Sequence, residues 1–200
     1  AYENLDMATS LLAARLVAGN VDLAEELSLK ARNQWVDKSS HYLSELNKSV
    51  MTRHQKFGEV AFLLEPDLKE ARGGLRDAHV LKWVEESEKV LREQEIKILE
   101  EAFETLLEVR VELHRETGRR SDRLLLELQD DLAVRLNYED ADQMMSAVAS
   151  AARVVAWTGD GAHRRIGRVL GQRGPRRMIQ KVLRREISPG LVLDDGRIRV

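Results

Sequence analysis

The sequence contains no cysteine, only three prolines, and few aromatic residues, at 4% of 200 positions. Without cysteine there is no disulfide framework, no thiolate metal site and no cysteine nucleophile. No run of about 18 uncharged apolar residues occurs, so nothing reads as a membrane-spanning helix. No charged-then-apolar signal segment opens the chain. Its start at Ala1 is what a processed protein or a piece of a longer one would show. Hydrophobic residues make up 43% and charged residues 33%, too apolar a balance for a disordered chain. A soluble, cytoplasmic, helix-rich domain is expected, of a length that suits one domain or two small ones.

The formal net charge of -2 conceals an asymmetry. Residues 161–200 carry 11 basic and 3 acidic side chains, and residues 1–160 carry 21 basic and 31 acidic ones. The basic side chains cluster from Arg164 to Arg185. Such a stretch suits nucleic acid, an acidic lipid surface or an acidic protein face. No aromatic residue lies within it to stack on bases, which favours a solvated linker helix packing on the acidic body over nucleic-acid binding.

Apolar spacing is helical almost throughout, which predicts an all-α, multi-helix, bundle-like domain. A first helix around Leu5, Leu12 and Leu16 is expected to end at Gly19. Asp22, with Glu25 three residues on, predicts a capping box opening a short helix. A longer helix is predicted from about Trp35 to Phe57. A long ordered loop, about 58–74, follows, with Val60, Phe62, Leu63, Leu64 and Leu68 as apolar anchors. A loop of this length inside a domain is more often functional than filler. Further helices are predicted over about 75–91, over about 95–117 with Leu99, Phe103, Leu106 and Leu113 as its core stripe, from Ser121 or Asp122 as cap to Leu136, and over 140–157. Asn137 suits a left-handed position after the third of these. Gly159 and Gly161 are read as punctuation, followed by short basic helices with Pro175 in a first turn. The last ten residues alternate about Asp195-Gly196 and predict a short C-terminal β-hairpin.

Two constellations could carry chemistry. In Lys69-Glu70-Ala71-Arg72-Gly73-Gly74-Leu75-Arg76-Asp77, two glycines open a helix whose free N–H groups carry the positive end of the dipole. Lys69, Arg72 and Arg76 surround that end, which suits a phosphate or other anion. The missing Cβ at Gly73 and Gly74 would let a ligand or second domain approach the backbone. The competing reading is a tight turn in which Arg76 and Asp77 pair. The second constellation is Arg110 and His114, in one helical row with Leu106, followed by Arg119 and Asp122. It reads either as a buried polar network reaching a ligand or as an Arg–carboxylate brace between helices. No metal site is read. Asp140-Ala141-Asp142 stands where Asp caps a helix, and the histidines at 41, 54, 79, 114 and 163 show no ligand spacing.

The stretch from Leu64 to Asp77, LEPDLKEARGGLRD, resembles the signature of the bifunctional PII uridylyltransferase/uridylyl-removing family. A second signature of that family is matched in order by Arg110, Leu113-His114, Gly118-Arg119, Asp122, Leu124, Gln129 and Leu136. The opening from Leu11-Leu12 through Arg15-Leu16 to Gly19 is similar to the helix that follows the family's catalytic domain. Two departures are visible: Asp67 stands where the family usually has Asn, and Ala71 where it usually has Gly. A related Gly-Gly element occurs in glutamine synthetase adenylyltransferases.

The resemblance implies that residues 1–190 form the helical domain of a protein-PII uridylyl- or adenylyltransferase in nitrogen regulation. Residues 191–200 would be a hairpin or connector toward a hydrolase domain. The family's transferase site needs a Gly-Ser turn and an Asp-x-Asp pair, and its hydrolase site a His-Asp dipeptide. The first and last are absent from this sequence and Asp140-Ala141-Asp142 sits in another context, so no catalytic residue is expected in the chain. Magnesium and UTP (or ATP) belong to the parent enzyme. The implied partners are its own nucleotidyltransferase and hydrolase domains and the PII protein as substrate. Lys69, Arg72, Gly73, Gly74, Arg76 and Asp77 are the expected nucleotide, anion or interdomain contacts. Arg110, His114, Arg119 and Asp122 are the expected supporting network. The alternatives are a helical interaction module with no nucleotide role and the equivalent domain of an adenylyltransferase acting on glutamine synthetase.

Overall fold

Asn4 opens the first helix, its side-chain oxygen accepting the N–H of Met7 at 3.1 Å. The computed structural model describes the backbone of residues 4–173, 185–188, 191–194 and 197–199, and the side chains of residues 4–168. The described backbone is mostly helical, as the apolar spacing predicts, with seven α-helices: α1 (Leu5–Leu12), α2 (Val21–Asp37), α3 (Ser39–Phe57), α4 (Leu75–Ser87), α5 (Glu93–Thr117), α6 (Leu126–Arg135) and α7 (Ala141–Arg173). None is long and apolar enough to cross a membrane.

Several boundaries differ from the predicted ones, each for a visible reason. Helix α1 ends at Leu12, well before Gly19. Helix α2 is long rather than short, and its cap is Asn20, whose side chain accepts the N–H of Leu23. Asp22 lies in the first turn, where a carboxylate favours the dipole without capping. The single helix predicted over 35–57 is broken at Lys38. In a straight helix Trp35 and Tyr42 would stand about 10 Å apart along the axis. The break lets their rings stack at 4.7 Å with 8° between planes, while Trp35 Nε1 donates to the carbonyl of Trp83 at 2.8 Å.

Helix α4 stops at Ser87 instead of Leu91 because Glu85 accepts the N–H groups of Val90 and Leu91 at 2.7 and 2.6 Å. Helix α5 closes at Gly118 in the left-handed conformation. Leu99, Leu106 and Leu113 are buried as predicted, whereas Phe103 is half-buried and Ala102 and Val109 complete the stripe. Helix α6 does not start at Ser121 or Asp122. It starts at Leu126, whose N–H is accepted by the Glu65 carboxylate at 3.1 Å, a cap reaching in from the long loop. Asn137 has φ 61°, as its type suits. Helix α7 is capped by Asp140, which accepts from Gln143 at 2.7 Å. It runs through Gly159 and Gly161 without interruption. Each helical glycine costs about 1 kcal/mol, and the buried row Met144, Val148, Ala152 and Val155 offsets that locally.

The loop at 58–74 is pinned rather than free. Glu59 and Arg72 form a parallel bridge, and Asp67 and Arg123 an antiparallel one. Val60, Leu68 and Ala71 are buried. Of the predicted anchors, Phe62, Leu63 and Leu64 are exposed, because Val60–Phe62 turns as a 3₁₀ segment and sends successive side chains in different directions.

The chain divides into two compact units, 1–162 and 163–200. The second holds the end of α7 and three short extended segments, Arg185–Ser188, Leu191–Asp194 and Arg197–Arg199. The Asp195-Gly196 turn of the expected hairpin, Pro175 and most of the basic stretch 164–185 lie outside the described residues.

Gly73 has φ 81°, and a Cβ there would stand 2.5 Å from the carbonyl oxygen of Ala152 on α7. Gly73→Ala is therefore expected to destabilise the protein by about 2 kcal/mol or more, read as a lower urea midpoint with unchanged slope.

Candidate functional site

The loop and the start of α4 are built around Asp77. Its carboxylate accepts the N–H of Gly73 at 2.8 Å and contacts His54 Nε2 at 2.9 and 3.0 Å. It also pairs with the Arg53 guanidinium. Arg53 in turn donates to the carbonyl of Glu70 at 2.6 Å. Asp77 is buried. Burial opposes its ionisation, and the bond to His54 with the Arg53 charge outweighs burial, holding its pKa below the usual carboxylate range.

The free N–H groups expected at this helix start are all engaged. Gly74 N–H donates to Ala71, Leu75 to Leu68, Arg76 to Lys69 and Asp77 to Gly74, all at 2.9–3.0 Å. Ahead of them Asp67 Oδ1 accepts the N–H groups of Lys69 and Glu70 at 3.0 and 2.7 Å. The two glycines serve internal packing. A Cβ on Gly74 would lie 2.8–2.9 Å from the carbonyl oxygens of Leu68, Ala71 and Lys69, and the backbone that approaches Gly73 is that of α7.

The cations divide by what they touch. Arg72 bonds Glu59 at 2.6 Å and Asp160 at 2.9 Å, tying the loop to the last turns of α7 within the first unit. Burial works against its charge, and these two carboxylates raise its pKa nonetheless. Arg76 does not pair with Asp77. It reaches Glu70 at 3.3 Å and its side chain is 37% exposed. Lys69 stands 3.6 Å from Glu70 and 3.7 Å from Asp122.

Asp122 is the centre of the second constellation. Arg110 Nε donates to it at 2.6 Å and His114 Nε2 lies at 3.3 Å. Burial raises its pKa, and Arg110, Lys69 and His114 more than reverse this. Its backbone carbonyl accepts the N–H of Leu68 at 2.8 Å. The two predicted constellations are thus one network, joined through Lys69 and the Leu68–Asp122 bond. Arg119 stays outside it, exposed beyond the end of α5.

Sequence reasoning missed Arg53 and His54. Their one signal is adjacency in the last turn of α3, and no spacing links them to Asp77, 23 and 24 residues away. Glu59 and Asp160, the partners of Arg72, were equally out of reach. No cluster of three His, Cys, Asp or Glu side chains that could hold a metal ion occurs among the described residues. A cleft of about 220 Å³ opens beside the network, lined by Arg53, Glu70 and Arg76 and also by Asp6, Thr9 and Trp83.

Comparison with known proteins agrees with the motif pattern. The sequence model of the GlnD PII-uridylyltransferase family matches residues 41–158. The chain is similar to the bifunctional uridylyltransferase/uridylyl-removing enzyme of Streptomyces coelicolor, at 39% identity over 98% of this chain and 25% of that protein. It is 31% identical to the enzyme of the same name from Mycobacterium tuberculosis, over 99% of this chain and 25% of that protein. With that of Nitrosococcus oceani the identity is 35%, over 70% of this chain and 17% of that protein. The chain spans about a quarter of the length of the first two relatives. No solved structure matches it.

The electrostatics predict two pH windows. Asp77 and Asp122 have folded pKa values below their unfolded values. Their contribution is complete above the unfolded value near 4 and is lost as pH falls through the folded value. His79 is also lowered, by burial first and then by Lys82, Arg76 and Arg110. The unfolded chain takes up that proton first, so stability declines as pH falls below about 6.5. Asp77→Asn is expected to lose about 3 kcal/mol at neutral pH and to shrink only the acidic window, in which Asp122 keeps its own part. His79→Gln should flatten only the upper one. Denaturant midpoints across the pH range, wild type against variant, check both.

Proposed function

The chain belongs to the GlnD PII-uridylyltransferase family, and on that footing we propose that it is the helical, non-catalytic domain of a protein-PII uridylyl- or adenylyltransferase acting in nitrogen regulation. In this reading the parent enzyme carries the transferase chemistry in a neighbouring domain, with magnesium and UTP (or ATP) bound there. PII is its substrate and the cytoplasm its place of action. The helical domain joins the transferase domain to a hydrolase domain, and residues 191–200 belong to the connector leading toward the latter.

The observation that carries the reading is the single network through Lys69. It unites the two stretches that resemble the family signatures, Leu64–Asp77 and Arg110–Leu136, and leaves Arg76 as its most exposed cation among those paired to Glu70. An element so heavily cross-braced holds its outward groups in fixed positions, which is what positioning a charged substrate or a neighbouring domain requires. The loop 65–77 borders the nucleotide cleft from the helical side. Arg76 meets phosphate or braces the transferase domain, and Glu70, not Asp77, orients it. Lys69 stands beside it, while Arg72, Gly73, Gly74 and Asp77 fix the loop that carries both.

Arg76→Ala in the full-length enzyme tests this. Nucleotidyl transfer to PII is expected to fall by about tenfold or more, one charge-assisted contact being worth that much, with little change in melting temperature. Full transfer activity at wild-type stability would remove Arg76 from the role.

A further inference from the structure

Helices α1, α3 and α4 form the cleft of about 220 Å³, far more room than the roughly 10–15 Å³ that a single water needs. Its walls are apolar: Leu5 from α1, Leu46 and Val50 from α3, and Val80 and Trp83 from α4. Leu46, Val50 and Val80 are buried, so the space reaches down to the packed core. Its charged lining is Arg53, Glu70 and Arg76, with Asp6 contributed by α1. Thr9 also lines it, but its hydroxyl donates to the carbonyls of Leu5 and Asp6 at 3.0 and 3.2 Å and so serves its own helix.

The charged residues of the cleft differ in what they still offer. Arg53 is committed: its guanidinium pairs with Asp77 and donates to the Glu70 carbonyl. The Glu70 carboxylate is shared among Arg53, Lys69 and Arg76. Arg76 reaches it through Nη2 alone, at 3.3 Å, and the Arg76 side chain is 37% exposed. A guanidinium carries five N–H donors in a planar fork, so most of this one is open to a second acceptor. The connected ion pairs that end at Arg76 are also one carboxylate short. Arg53, Lys69, Arg76 and Arg110 share only Glu70, Asp77 and Asp122, four cations against three anions.

We infer that the α1–α3–α4 cleft is a binding site for a small monocarboxylate with an apolar body, its carboxylate on Arg76 and its body against Val50, Val80 and Trp83. A carboxylate matches the guanidinium fork, two oxygens to two N–H groups, and supplies the one negative charge that the ion-pair network lacks. The apolar walls reward an aliphatic or aryl body and leave a polar one without hydrogen-bond partners. A ligand with a second negative charge would meet the Asp6 carboxylate in the same cleft. The site does not rest on the transfer reading. Where Arg76 makes the outward contact proposed above, a ligand in the cleft competes with that contact for the guanidinium.

The test is an NMR titration of the 200-residue chain with acetate, butanoate, hexanoate and the neutral hexanamide at constant ionic strength. It follows the indole N–H signal of Trp83, assigned by its loss in Trp83→Phe. Hexanoate is expected to move Trp83 and to leave Trp157, which does not line the cleft, unmoved. Affinity should rise up to about fourfold for each methylene added from acetate to hexanoate, which reads the apolar walls without altering the protein. Hexanamide should bind about tenfold more weakly than hexanoate, one charge-assisted contact being lost. Arg76→Gln should abolish that preference at an unchanged melting temperature, and Arg76→Lys should keep part of it. A Trp83 signal that stays still at tens of millimolar hexanoate overturns the site. So does acetate or inorganic phosphate binding as well as hexanoate, hexanamide equalling hexanoate, or a preference for the carboxylate that survives Arg76→Gln. Loss of transfer in the full-length Arg76→Ala enzyme, with no hexanoate binding by the chain, would leave the domain's proposed role standing and remove the cleft site alone.

Discussion

The buried carboxylate of Asp77 is the point on which the loop, α3 and α4 all close. It sits where an isolated negative charge would be costly, and it is ionised because Arg53 and His54 arrive from the last turns of α3. Its other bond, to the N–H of Gly73, sets the entry of α4. Gly73 in turn presses against the Ala152 carbonyl of α7. One side chain thereby fixes a loop to three helices. Such a pair is not strong evidence of net stabilisation, since desolvation offsets much of the attraction. What it supplies is a single arrangement, because each partner would be left buried and uncompensated in any other.

Around that point the loop behaves as an inserted rigid element. Two backbone bridges hold its ends, Asp67 closes its turn, and Glu65 caps a helix far along the chain. The Asp67 role uses only an acceptor oxygen, which an asparagine would also provide. The departure from the family pattern at this position therefore leaves the turn intact. Its charge stands where the two N–H groups it accepts are waiting, so it does not need a free cation. The consequence for function is a division of labour: backbone and carboxylates hold the loop, and a minority of cations (Arg76, Lys82 and in part Lys69) are left facing outward.

Much of the fold was legible. Helical apolar spacing identified the helices of the body, and glycine or asparagine at Gly118 and Asn137 marked ends whose left-handed geometry those residues tolerate. The errors share one cause. The caps predicted at Asp22 and Asp122, the run through Lys38 and the pause at Gly159 were all read from local preference. Each was overridden by a partner from elsewhere or by packing: Asn20 for Asp22, Arg110 for Asp122, the Trp35–Tyr42 stack at Lys38, and the buried row of α7 at Gly159. The candidate site shows the same limit. Lys69, Arg76, Asp77, Arg110 and Asp122 stand out by type and spacing, yet Arg53, His54, Glu59 and Asp160 are ordinary charged residues until folding brings them in.

By itself the sequence determined the helical class, the loop, its glycine pair and the family the chain belongs to, because these follow from periodicity and from motifs contiguous along the chain. Only the tertiary structure decided what those residues do. Charge neutralisation and hydrogen-bond satisfaction act through space over a few ångströms, and the partners here are separated by up to 88 residues. The helix start that reads as an open anion site is filled by its own loop and side chains.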